Sequence, residues 1–332
     1  MNNALLTLLL VSPFLLAVLL ANLAENNPKW RVPHYIYLFC LNGAMIALGL
    51  TFLAVAALSA QALAPDMPAM LKQVDWVGAG LWLIAGGTIA LVVLLPPVRR
   101  ALSRLFQLEP NSVVHATALS MTATAIASNL FQMSFSSYLM TPAGLKQVQQ
   151  AGGATYMDIF VSPLLTMLLA ALLGVGWLTR RTWPEIVERL GLATPTVPQL
   201  LLAVIVAAAL LGLSYGTDIL WSRIDPVGQK QVGGVSSALF SNFSGLSGAF
   251  AVGITAAIGE ELFFRGAYQQ RMGIVMTAIL FASFHTQYYI SFATLLIFVI
   301  GLVLGVLRKR TTLAVCILVH FLYNFASVLL GS

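Results

Sequence analysis

Ten apolar runs follow one another along the chain, near 4–24, 35–60, 76–98, 113–139, 158–178, 198–217, 246–270, 272–287, 289–307 and 312–330. A helix needs about 20 residues to cross ~30 Å of hydrocarbon, and all but the eighth run approach or exceed that length. Composition points the same way. Of 332 residues 59% are apolar and 8% are charged, whereas an ordinary soluble domain has about 25% charged residues. No soluble packing of this length would bury so much apolar surface. The expected fold is therefore all-α, a polytopic transmembrane helix bundle of about ten helices. No Lys or Arg precedes the first run, so the basic start of a signal peptide is missing and the run is expected to stay as a helix.

The net charge of +6 would suit nucleic acid, but the basic residues form no single patch. They sit in short connections, and alternate connections carry most of them: Lys29 and Arg31; Arg99, Arg100 and Arg104; Arg180, Arg181 and Arg189; Arg265 and Arg271; Arg308, Lys309 and Arg310. These are thirteen of the 17 basic residues. The other side has only Lys72, Lys146, Arg223 and Lys230. Basic residues gather in cytoplasmic loops, so the pattern predicts both termini outside the cytoplasm. Arg265 fits it least well, because it can lie below the surface. The lipid bilayer is thus an expected partner and nucleic acid is not.

Punctuation divides the chain further. Residues 179–197 read as a short amphipathic cytoplasmic helix, with Trp183 at the interface, Pro184 opening it and Gly191 closing it. Residues 218–236 mix Asp218, Arg223, Asp225, Pro226 and a Gly233-Gly234 pair and read as an exposed loop. Residues 237–249, rich in Ser and Gly, read as a re-entrant piece or a loose helix start. No internal repeat is visible. The composition boundary splits the chain into a five-helix N-terminal region, 1–178, without acid, base or His clusters, and a region 179–332 that has several. Cys40 and Cys316 both lie in apolar segments and are expected as small core residues rather than a disulfide pair.

Residues 231–259 contain no Asp, Glu, Lys, Arg or His, and then Glu260, Glu261 and Arg265 follow at once. A charge at the bilayer centre costs about 2.5–3.5 kcal/mol on insertion scales. On a helix Arg265 lies one turn after Glu261 and on its face. That pairing neutralises two charges and leaves Glu260 pointing elsewhere, as suits a general base. A purely structural ion network fits the spacing equally well. Between 272 and 307 the only acid, base or His is His285, with Phe281 one turn before it on the same face. In the last run His320 and Asn324 are spaced by one turn too. Lone membrane histidines usually serve helix contacts, and polar groups in lipid-buried helices converge because each needs a partner.

Glu260-Glu261-x-x-x-Arg265, Phe281-x-x-x-His285 and His320-x-x-x-Asn324, in this order on successive helices, resemble the CAAX-protease and bacteriocin-processing family of membrane endopeptidases, also called the abortive-infection family. The stretch from Arg180 to Leu192 is similar to a segment that often precedes that core, so the resemblance covers about 179–330. It implies a glutamic intramembrane endopeptidase acting on a membrane-associated protein or peptide. By this resemblance Glu260 and His285 activate a water for attack on the scissile carbonyl. His320 and Asn324 donate to the developing oxyanion, and Glu261, Arg265 and Phe281 support the site. It also implies no metal and no cofactor, and a cavity opening to the cytoplasm. The expected setting is the bacterial inner (plasma) membrane.

Competing readings have their own residues. One Glu, two His and an Asn resemble part of a catalytic zinc shell, although no His-Glu-x-x-His occurs. Gly245-Leu246-Ser247-Gly248 matches the Gly-x-Ser-Gly of rhomboid serine proteases, but packing of small residues explains it more simply. Cys316, one turn before His320, would be a thiol nucleophile only if that histidine lowered its pKa. A non-enzymatic scaffold or a transporter would use the same polar residues for binding. For transport, Asn129, Gln132 and Ser134 are the nearest thing to a polar path in the first half, and there is no repeat of the kind transporters often show.

Overall fold

The computed structural model describes residues 3–61 and 69–331, and among these no strand is present. Helices occupy all ten apolar runs: α1 Asn3–Asn26, α2 Arg31–Gln61, α3 Trp76–Val92, which a 92° bend joins to α4 Pro96–Leu102, and α5 Val113–Phe135. After the short α6 Pro142–Ala151 come α7 Tyr156–Gly174, α8 Trp183–Leu190, α9 Val197–Ile224, α10 Pro226–Leu239 and α11 Gly245–Glu261. A wide π turn, Leu262–Tyr268, leads into α12 Gln269–Ser283, and α13 Phe292–Arg310 and α14 Leu313–Leu330 complete the chain. Seven helices are long and apolar enough to cross a membrane, eight if the bent α3–α4 pair is one span. The protein is an integral membrane protein with a polytopic helical bundle.

Helix α5 falls outside that group for a physical reason. It carries six Ser or Thr residues together with His115, Asn129 and Gln132, and it lies inside the bundle. Its hydroxyls meet partners on other helices: Thr117 with His34 Nε2 at 2.7 Å, Ser120 with Asn42 at 3.1 Å, Thr124 with Asn42 at 2.9 Å and Thr122 with the Tyr268 hydroxyl at 2.6 Å. Asn129 donates to Ser283 at 3.2 Å. Interhelical bonds of this kind average about 0.6 kcal/mol each in membranes. They fix the polar face of α5 against α2 and the π-turn segment.

The expected loop at 218–236 is instead the end of α9 and most of α10. Asp225 makes the difference, because its carboxylate accepts from Gly228 N at 2.9 Å and caps α10, with Pro226 in the first turn. Gly233 and Gly234 are accommodated within that helix. α8 follows the expected plan: Thr182 and Glu185 cap each other, Ile186 and Leu190 are buried, Trp183 is exposed, and the helix ends at Gly191. Cys40 departs from expectation, being exposed on the outer face of α2, while Cys316 is buried.

Two close approaches place the residues that matter. Gly273 has φ 76° and ψ 177°, outside helical space and costly for any residue with a Cβ. The chain reverses there, so Phe264 and Phe281, nearly equidistant from Gly273 in sequence, meet at 5.1 Å. The short interval between the two motifs is a tight helical hairpin. In α11 a Cβ on Gly259 would sit 1.6 Å from the Pro163 carbonyl oxygen. Pro163 lies in a second π turn, Phe160–Thr166, where it offers no N–H to the helix ladder. The backbone just before Glu260 therefore rests directly on α7.

Candidate active site

Glu260 and Glu261 end α11, and both are buried. Helical spacing sends them in different directions. Glu261 Oε1 accepts from Arg265 Nη1 at 2.9 Å and from His320 Nδ1 at 2.8 Å. Arg265, without solvent exposure, also donates from Nη2 to the Gly301 carbonyl at 3.4 Å. One turn on, Gln269 repeats the pattern by donating to the Gly305 carbonyl at 2.9 Å. The hairpin is thereby pinned along α13 by two side chains, each holding a backbone oxygen.

Phe281 joins the three motifs. The Arg265 guanidinium lies 4.3 Å from its ring centroid, a cation–π distance. The His285 ring is 4.9 Å from it and the His320 ring 6.0 Å. Side chains 20 to 55 residues apart in sequence are thus assembled around one aromatic ring, itself buried in the hairpin core with Phe264, Tyr268, Met272 and Leu280.

The histidines differ in what holds them. His285 Nδ1 lies 2.9 Å from the Phe281 carbonyl oxygen, which can only accept. Nδ1 must carry the proton, and in the neutral ring Nε2 keeps its lone pair. His320 Nδ1 meets a carboxylate oxygen instead, so an Nε2 that also donates requires a doubly protonated ring. Glu260 Oε2 is buried without a protein partner. Tyr288 stacks on His285, with ring centroids 6.3 Å apart and 13° between the planes. Counting about 1.5 Å per residue, Glu260 lies roughly 19 Å along the helix from the Gly273 turn. Asn324 is half-buried one turn beyond His320 on α14.

Residues 242–326 match the family described as Rce1-like, type II CAAX prenyl endopeptidase Rce1-like. The match spans about a quarter of the chain. All seven motif residues fall inside it, and the family is one of proteases. No curated protein and no solved structure matches the chain.

The structure gives the competing motifs other environments. Ser247 is exposed at the opposite end of α11 from Glu260, and a Cβ on Gly248 would strike the Phe243 carbonyl at 2.1 Å, so this patch builds a tight helix start. Cys316 is fully buried and directs its thiol at the Leu304 carbonyl, 3.7 Å away. Among the described residues no three His, Cys, Asp or Glu side chains are grouped as a metal shell. Tyr288, Gln269 and the glycine pair on α13 were not singled out from sequence. Gln269, at i+4 from Arg265 and opposite two glycines also spaced i, i+4, carried the only usable signal.

Proposed function

We propose that the chain is an intramembrane glutamic endopeptidase that hydrolyses a peptide bond of a membrane-associated substrate without a covalent intermediate. One observation carries the reading. Each glutamate keeps one buried oxygen with no protein partner, but Glu261 is held through its other oxygen by Arg265 and His320, whereas Glu260 forms no ion pair among the described residues. In this reading a water donates one hydrogen to the free Nε2 lone pair of His285, which orients it, and gives its other proton to Glu260 as its oxygen attacks the carbonyl. Protonated Glu260 then returns that proton to the leaving amine as the C–N bond breaks. His320, doubly protonated and held by Glu261, donates through Nε2 to the oxyanion, joined by Asn324. Two carboxylates, one guanidinium and one imidazolium sum to zero charge, so the site can sit in a low-dielectric bundle without a net ion. Phe281 packs the two rings and Arg265 supports Glu261. Neither a metal nor a cofactor enters these steps.

The same reading places the protein in a bacterial inner membrane with both termini outside the cytoplasm, because the arginine-rich connections then face the cytoplasm. The two-part division at about residue 179 belongs with it.

The test uses purified full-length protein and a peptide library reconstituted in lipid. Glu260→Gln is expected to retain its fold and lose cleavage by at least a hundredfold. Full activity in the folded variant would refute the assignment and favour a binding protein that reuses these residues.

A further inference from the structure

The N-terminal helices enclose a second feature, separate from the Glu–His site and independent of the protease reading. A cavity of about 360 Å³ lies between α1, α5, α7 and the back of the hairpin. Along α1 it runs from Thr7 to Asn22, roughly 22 Å at 1.5 Å per residue. Its walls are mostly apolar, with Val11, Val18, Ala118, Ala125, Phe263 and Phe284 along its length. One leaflet of hydrocarbon is about 15 Å deep, so the cavity has room for one lipid chain end to end.

The Asn22 end is different. Arg271 lines it, is 91% buried by its 9% exposure, and donates to the Gly174 carbonyl at 3.1 Å. It forms no ion pair among the described residues. Its charged surroundings are Arg180, Arg181, Arg189 and a single acid, Glu25. That acid is already engaged, since one of its oxygens accepts from Val113 N at 2.6 Å and Val114 N at 3.1 Å to cap α5. Arg180 and Arg181 crowd the same turn, each with a guanidinium nitrogen near Gly176. An apolar tube therefore ends at Arg271, with Arg180 and Arg181 beyond it at Gly176; Glu185 and Glu188 lie near Arg181 and Arg189, but no carboxylate pairs with Arg271 among the described residues. A buried uncompensated cation is costly, and an anion at this mouth removes the imbalance.

We propose that this cavity binds one acyl chain of an anionic phospholipid, with the phosphate at Arg271 and the neighbouring arginines. Several guanidinium groups match the multiple oxygens of a phosphate diester better than one carboxylate. The occupant would pack on Phe263 and Phe284, which flank Glu260 and His285 in sequence on the opposite face of the hairpin. This gives helices α1, α5 and α7 a role that the motif-bearing half does not supply.

The experiment places full-length protein in detergent with phosphatidylglycerol or phosphatidylcholine bearing the same photoactivatable acyl chain. After illumination, labelled peptides are mapped. Labelling on Met121, Ala125, Phe263 or Phe284 is expected, at least fivefold stronger with phosphatidylglycerol. Ala125→Trp should abolish that labelling while outward-facing sites such as Val204 stay labelled. Arg271→Gln should bring the two lipids to parity without moving the labelled positions. Competition in the wild type supplies a control that needs no variant: unlabelled phosphatidylglycerol should suppress cavity labelling several-fold. Labelling confined to outward faces, equal labelling by both lipids in the wild type, or undiminished labelling in Ala125→Trp would each overturn the proposal. Equal competition by a free fatty acid would overturn the phospholipid assignment.

Discussion

Removing Arg265 tests the central ion network most directly. The side chain has no solvent exposure, and its guanidinium bonds Glu261 at 2.9 Å and covers the Phe281 ring at 4.3 Å. Arg265→Met keeps most of the volume but strands a buried carboxylate on His320 alone. Breaking a buried pair from one side costs about 3–5 kcal/mol, and the lost cation–π contact adds up to ~2 kcal/mol when desolvated. Against a typical total stability of about 5–15 kcal/mol, that is a large fraction. Glu261→Gln should cost less, because the amide oxygen still accepts from His320 and Arg265 retains the Gly301 carbonyl. The double variant removes the pair together, and should fall short of the summed single costs by about 2 kcal/mol or more, within the coupling expected of groups in contact. The assay is unfolding in mixed micelles by added SDS, followed by helical circular dichroism. Costs that add to within ~0.5 kcal/mol would show that the two side chains do not stabilise each other, and the geometric argument for Glu261 would fail.

Gly273→Ala should destabilise by about 1–3 kcal/mol in the same assay through its φ of 76°, although no atom blocks the new Cβ; Gly212→Ala, in the interior of α9 with equally open space, should be neutral or stabilising. Asn324→Ala is expected to lower kcat about a hundredfold or more with KM little changed, as for loss of an oxyanion donor; an effect on KM alone would assign Asn324 to substrate binding. Cleavage measured after exhaustive treatment with a zinc chelator should equal that of untreated protein, and a loss restored by zinc would reinstate the metal-dependent alternative.

Much of the fold was legible in the sequence because lipid leaves a chain few options. Runs of about 20 apolar residues must be helices there, and the ten runs coincide with helical segments. Helix caps were less visible: one aspartate, Asp225, turned an expected loop into α10 by satisfying an amide that water would otherwise have taken. The pairing of Glu261 with Arg265 followed from 3.6 residues per turn, since both lie on one helix. Position across helices did not follow. That His320 on the last helix meets Glu261 through Nδ1 at 2.8 Å is set by the packing of two helices, and no spacing within either one records it.

By itself, then, the sequence determined the membrane bundle, the order of its three polar motifs, and which of two adjacent glutamates has a partner one turn away. Only the tertiary structure decided that Phe281 gathers the motifs, that Gly273 folds the hairpin back, and that the N-terminal helices enclose a cavity ending at Arg271. The physical reason is the range of the interactions. Helical periodicity and transfer from water act within one segment and leave a pattern there. The approach of Gly259 to Pro163, or of Arg265 to Gly301, depends on how whole helices pack, and no local pattern records it.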